Sequence, residues 1–176
     1  VIDSCAGAGG KTLHMANLMQ NKGSIISLDP NNKKLEQLKI RIKRNGIRMV
    51  TVHNSNNEDY IKKYKTNADL VLIDAPCSGL GVLRRNPAAK WQMNPNNIQK
   101  LIYIQQEILQ KQSLYVKKGG ILVYSTCSFF PNENENQIKN FLTTSLGKSF
   151  YLEKEETLLT HQSKGDGFYM ARLIKR

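Results

Sequence analysis

The chain has 176 residues, 40% hydrophobic and 23% charged, a composition that suits one globular domain with a sizeable core. No apolar run approaches the roughly 18 residues of a membrane span, and no signal peptide is apparent. Lys and Arg number 26 against 14 Asp and Glu, a net charge of +12. That excess favours a polyanionic partner, nucleic acid ahead of an anionic membrane, with solubility as the plain alternative.

The sequence opens on Val1-Ile2-Asp3, as if inside a strand, and is expected to be the catalytic piece of a longer protein that lacks N-terminal segments. Val1 to Cys5 reads as a strand end. Ala6-Gly-Ala-Gly-Gly10 follows, then Lys11-Thr12 and an apolar-rich run through Leu13, Ala16 and Met19: strand, glycine loop, helix. Such glycines let the backbone approach a ligand closely, and the helix start offers unpaired N–H groups. Two ligand classes compete. A phosphate loop needs G-x-x-x-x-G-K-[ST]; Gly10-Lys11-Thr12 fits its end, but its first glycine would fall at Cys5. A nucleoside-bearing cofactor fits better, and it requires an acid at the end of the next strand, about 20 residues on, for the ribose hydroxyls. Gly23 to Leu28 is that strand and Asp29 that acid. The alternative role for Asp29 is helix capping, since Asp29-Pro30 is a good helix start.

A helix over about Asn31 to Arg44 carries the stripe Leu35, Leu38, Ile42 and stops at Asn45-Gly46. Val50 to His53 is a third strand, followed by the polar loop Asn54 to Asn57 and a brief helical stretch. Leu70 to Ile73 is a buried parallel strand that ends on Asp74, then Ala75-Pro76-Cys77-Ser78-Gly79. Ligands of such sheets bind outside the carboxyl ends of the strands, where Asp74 and Cys77 belong; the bland reading is a capping acid beside a small buried cysteine. Arg84, Arg85, Lys90 and the only tryptophan, Trp91, come next. Cations beside a stacking aromatic suit unstacked RNA; the alternative is a surface loop with one packed Trp. A long helix is predicted over Asn97 to Val116, with Tyr115 and Val116 in its apolar stripe and Gly119-Gly120 at its end. Ile121 to Ser125 is a further buried strand, running into Thr126-Cys127-Ser128. A helix after Pro131 turns Ile138, Phe141 and Leu142 inward. Phe150 to Leu152 and Phe168 to Leu173 are the last strands, forming an antiparallel hairpin. The predicted class is α/β: a doubly wound, mostly parallel seven-stranded sheet.

Cysteines number three, Cys5, Cys77 and Cys127, with no C-x-x-C and no histidine near a cysteine pair. This pattern fits neither a disulfide framework nor a zinc site, so no metal is expected and the setting is expected to be reducing and intracellular. Two strands each deliver a thiol to the ligand edge. If they are neighbours, about 4.8 Å apart, both thiols face one pocket. A nucleoside cofactor, a carboxylate and two thiols match methylation of pyrimidine carbon 5. That carbon is too weak a nucleophile unaided, and thiolate addition at carbon 6 activates it. A carboxyl group near ring nitrogen 3 offsets the developing charge, and a base then removes the carbon-5 proton.

Asp3-Ser-Cys-Ala-Gly-Ala-Gly-Gly-Lys-Thr12, Asp74-Ala-Pro-Cys-Ser-Gly79, Arg84-Arg-Asn-Pro87 with Lys90-Trp91, and Tyr124-Ser-Thr-Cys-Ser128 together resemble the motifs of the RsmB/NOP (Sun) family, over nearly the whole chain and in order. The resemblance implies a Rossmann-like class I methyltransferase domain over residues 1–176, acting with S-adenosylmethionine on cytosine carbon 5 of ribosomal or transfer RNA. It implies Cys127 as nucleophile, Cys77 as the thiol that assists product release, and Asp74 in contact with base or cofactor. Cys5, Ala6, Gly7, Ala8, Gly9, Gly10, Lys11, Asp29 and Asn56 would hold the cofactor, and Arg84, Arg85, Lys90 and Trp91 the RNA. DNA cytosine methyltransferases use the proline–cysteine thiol as nucleophile instead, so motif order alone leaves the choice open. The sequence departs from the family at Ala8, often proline, and at Asn56, where an aspartate is usual. A cytoplasmic monomer is expected, nuclear or nucleolar in a eukaryote. The rival reading is a cofactor-binding RNA-binding or ribosome-assembly module without turnover. Methylation of an exocyclic amine fits poorly, because Cys77 stands where such enzymes place an aromatic face.

Overall fold

A computed structural model describes residues 1–57, 66–91, 93–163 and 165–176. Seven strands form one sheet: β1 (Ile2–Asp3), β2 (Ile25–Asp29), β3 (Val50–Asn54), β4 (Ala68–Asp74), β5 (Val116–Thr126), β6 (Phe150–Leu158) and β7 (Phe168–Lys175), in the order β3-β2-β1-β4-β5-β7-β6. The first five are parallel to one another, whereas β7 runs antiparallel to both β5 and β6 and lies between them. The doubly wound α/β class and the antiparallel C-terminal hairpin expected from the sequence are both present. Strand order reverses direction between β1 and β4, which opens a crevice at their carboxyl ends.

Among the described residues the α-helices are α1 (Gly10–Leu18), α2 (Asn32–Arg44), α3 (Pro95–Ser113), α4 (Glu135–Thr143) and the single turn α5 (Thr160–Ser163). All five residues of β2 are buried, as a parallel strand covered on both faces requires. The main core joins Leu28, Val71, Ile73, Leu122 and Tyr124 of the sheet to Leu109 of α3 and Ile138 and Phe141 of α4. A smaller cluster of Ala16, Ile25 and Met49 seats α1 beside β2. In α2, Leu35 and Leu38 are buried, Asn31 caps the helix by accepting from the Lys34 N–H, and Gly46 turns away at φ +62°. The edge strand β6 carries Glu153, Lys154, Glu155 and Glu156, charges that discourage further pairing.

Three expectations need correcting. The long helix spans Pro95–Ser113 and not Asn97 to Val116, because Asn94 caps it and Pro95 suits its first turn. Tyr115 and Val116 lie beyond it: Val116 already pairs with Ala68, and the register shift before Ile121 absorbs Lys117 to Gly120, with Gly119 at φ +73°. Gly119-Gly120 therefore makes a bulge inside β5, not a helix stop. The last two strands also exceed the ranges read from their apolar residues, since β6 and β7 pair from Phe150↔Lys175 to Leu158↔Phe168. The brief helical stretch expected after Asn57 falls on residues 58–65, outside the described residues.

Candidate active site

The glycine loop leaves β1 at Cys5 and enters α1 at Gly10. Gly7 and Gly9 adopt φ +55° and +90°, a region open to glycine at little cost, and Gly9 occupies the helix-capping position. Asp29, at the end of β2, braces this loop. Its Oδ2 accepts from the Gly7 N–H at 2.9 Å and its Oδ1 from the Asn31 N–H at 2.8 Å. The capping role considered for Asp29 is filled by Asn31, so the carboxylate holds two backbone turns together at the crevice. Arg41 of α2 adds a brace that its place in a run of basic residues did not reveal: its Nη1 donates to the Ala8 carbonyl at 2.8 Å. Under the loop, the Thr12 hydroxyl donates to Asp3 at 2.6 Å, and burial pushes the Asp3 carboxyl up to about 6.

Asp74 stands at the end of β4 opposite the loop. Lys11 pairs with its Oδ2 at 2.5 Å, and the Ser125 hydroxyl donates to its Oδ1 at 3.3 Å. The lysine that suggested a phosphate loop is thus committed to a carboxylate. Because β4 and β5 are adjacent and parallel, with Asp74 beside Ser125, the turns beyond them carry Cys77 and Cys127 to one place. The two sulfurs lie 3.2 Å apart. The Cys77 thiol, hydrogen-bonded to its partner, pulls Cys127 down to about 7, while that same bond and burial push Cys77 upward. Once the pair has lost its first proton, the S–H that remains holds the neighbouring thiolate. Cys5 differs: burial pushes it up to about 12, which keeps it a thiol and makes it inert as a nucleophile.

A buried polar network underlies the two cysteine turns. Glu133 is fully buried, in the turn before α4. Its carboxylate accepts from the Ser78 N–H at 2.8 Å, the Ser78 hydroxyl at 2.5 Å, the Gln105 side-chain amide at 3.0 Å and the Ser128 hydroxyl. The same Gln105 amide donates to the Pro76 carbonyl at 2.8 Å, and the Tyr124 hydroxyl donates to the Glu133 carbonyl at 2.7 Å. Asn134 holds the second turn by donating to the Ser128 carbonyl at 2.9 Å. Ser78, Tyr124 and Ser128 fall in the quoted motifs, but Glu133, Gln105 and Asn134 did not stand out in the sequence. The available signals were a serine directly after each cysteine and a polar run, Asn132 to Asn136, where an amphipathic helix should start.

Arg84, Arg85, Lys90 and Trp91 are all exposed, on the segment after the Cys77 turn. Trp91 is 82% exposed, with the Lys90 ammonium 4.8 Å from its ring centroid, so it is not the packed tryptophan of the bland alternative. Arg85 is paired with Asp166 at 2.6 Å. Asn56 is exposed at the end of the β3 loop and lines a cavity of about 370 Å³ with Ser4, Cys5, Pro30, Ile108 and Gln112. Among the described residues, no group of His, Cys, Asp and Glu is arranged to hold a metal, and no helix is long and apolar enough to cross a membrane.

A 3-2-1-4-5 parallel core closed by an antiparallel pair, with a braced glycine loop at its crevice, defines a Rossmann-like methyltransferase fold. A family described as 16S rRNA methyltransferase RsmB/F matches residues 1–174, and the chain belongs to that family. It is 36% identical over 190 residues to a probable ribosomal RNA small subunit methyltransferase B of Synechocystis, covering 99% of this chain. It is 35% identical over 192 residues to the corresponding probable enzyme of Bacillus subtilis, covering 100%. Among solved structures, NSun6 from Pyrococcus horikoshii, determined with SFG, superposes with a TM-score of 0.86 at 30% identity over 99% of this chain. The chain spans 43% of the length of each of those two bacterial relatives and 47% of the NSun6 chain.

Proposed function

We propose that this chain is the catalytic part of an S-adenosylmethionine-dependent RNA (cytosine-5)-methyltransferase, with ribosomal RNA as the first substrate to test. The observation that carries the reading is the pair of sulfurs, 3.2 Å apart, at the ends of adjacent strands beside the glycine-loop crevice. The naming of the relatives as ribosomal RNA methyltransferases and the net charge of +12 support an RNA substrate.

The residues present fit the cofactor. A β-carbon built at Gly7 or Gly10 meets nothing within 4 Å, so the loop backbone is open to a ligand. Asp29, whose carboxylate already braces the loop, would also accept from the ribose hydroxyls. Gln112 also lines the cavity that Asn56 lines, and its Oε1 is buried with no hydrogen-bond partner among the described residues. When bound, S-adenosylmethionine supplies an electrophilic methyl group.

The chain's own residues do the rest. Cys127, already the more acidic thiol, adds to cytosine carbon 6 and makes carbon 5 nucleophilic. Asp74, held by Lys11 and Ser125, contacts the base near ring nitrogen 3. After methylation Cys77, its own proton lost to solvent, assists by taking the carbon-5 proton; the electrons of that C–H bond restore the C5=C6 double bond as the bond from carbon 6 to the Cys127 sulfur breaks, and Cys127 leaves as a thiolate. Arg84, Lys90 and Trp91 offer phosphate and stacking contacts to the unstacked strand.

The test uses the complete protein, labelled S-adenosylmethionine and small-subunit ribosomal RNA at a pH above 8. Cys127→Ala should abolish transfer. Cys77→Ala should accumulate a protein–RNA adduct, visible as a shifted band, because addition proceeds and release stalls. Full activity in both variants overturns the mechanism.

A further inference from the structure

We propose that Glu133 is the positioning residue that sets the separation of the two reactive sulfurs. This rests on the reading above, in which Cys77 and Cys127 act on one base. Each cysteine is followed by a serine, and both serines bind the same buried carboxylate: Ser78 through its N–H and hydroxyl, Ser128 through its hydroxyl. The two hydroxyls also lie 3.0 Å from each other. With the Gln105 amide, these four donors occupy the carboxylate's acceptor sites, so it has no freedom to turn. Its backbone is fixed in turn by the Tyr124 hydroxyl from β5. The turns after β4 and β5 otherwise touch through a few backbone contacts, such as the Gly81 N–H to the Cys127 carbonyl at 2.8 Å.

Reach, not charge, is what this clamp requires. Glutamine has the same length. Its carbonyl oxygen can accept from the Ser78 N–H and Gln105, and its amide can donate to the two serine hydroxyls, which accept as readily as they donate. Aspartate keeps the charge but is one methylene short and cannot span both serines.

The experiment reads the sulfur pair directly in the complete protein. The oxidant diamide takes two electrons and two protons from neighbouring thiols, forming a disulfide and a hydrazine, and peptide mass mapping follows the Cys77–Cys127 link over time. Wild type and Glu133→Gln should oxidise at similar rates and turn over alike. Glu133→Asp, shown folded by circular dichroism, should oxidise about tenfold more slowly and lose about a hundredfold in single-turnover methyl transfer, with cofactor Kd unchanged. Wild-type rates in folded Glu133→Asp overturn the proposal, and so does equal slowing in Glu133→Gln. If Glu133→Asp does not fold, Ser128→Ala decides: slowed oxidation supports the clamp and a wild-type rate overturns it. Oxidation needs neither RNA nor cofactor. A wild-type protein that forms the disulfide readily yet methylates no RNA would end the functional reading and leave the clamp standing.

Discussion

The Cys77–Cys127 pair makes a prediction about pH. In the proposed mechanism the Cys127 thiolate adds to the base, so the rate of adduct formation should rise with pH through about 7 and level off above it. Stopped-flow or quench measurement of the adduct checks this. Removing the donor, as Cys77→Ala does, should move the midpoint up towards the ordinary thiol value of 9.0. Alkylation of Cys127 by iodoacetamide across pH reads the same shift without RNA, and an unmoved midpoint would show that Cys77 does not hold the thiolate. At this scale the sequence was legible wherever chemistry is carried by uncommon residue types. Cys77, Cys127, Asp74 and Lys11 could be picked out, and the structure brings all four to one crevice. It was not legible wherever position is carried by common ones. Glu133 looks like a surface residue in a polar stretch and Gln105 like one on a solvated helix face, and only packing of the turn before α4 against α3 and the Ser128 turn makes them internal. Nor could the order of the two thiols be read from spacing, because their acidity depends on which sulfur donates.

Among the elements, the segment beyond β4 approaches both the turn beyond β5 and the residues leading into β7 so closely that a side chain has no room between them. A β-carbon at Gly81 would lie inside van der Waals contact of the Gly167 carbonyl and 2.9 Å from the Cys127 carbonyl oxygen. Backbone atoms cannot step aside as a side-chain end can, so Gly81→Ala should cost about 1–3 kcal/mol of stability and displace Cys127. Thermal melting and the adduct rate should both fall, and an unchanged melting temperature with wild-type adduct rate would refute the crowding argument. The strand sequence and its sense were readable from apolar runs alternating with amphipathic segments. The end of α3 was not: Tyr115 and Val116 continue the helical apolar pattern, but pairing of Val116 with Ala68 overrides it. Similarly, β6 runs on through Glu153 to Glu156 because backbone pairing with β7 holds it there, despite a polar sequence.

The whole molecule carries a charge of +12, and RNA affinity should therefore fall steeply with salt. If Lys90 and Arg84 contact phosphate as proposed, Lys90→Ala or Arg84→Ala should lower the slope of log K against log salt by about 1. Trp91→Ala should instead cost about 1–3 kcal/mol with the slope unchanged, as loss of stacking does. Fluorescence anisotropy with a single-stranded RNA over a salt series separates the two. The place of β7 has a different consequence, for biogenesis. Residues 168–175 form an interior strand although they follow the other six strands of the sheet in the chain, and they divide β5 from β6. While a ribosome still holds them, β5 keeps an open flank and β6 has nothing to pair with, so the nascent polypeptide is exposed to strand-mediated aggregation until translation has passed Lys175.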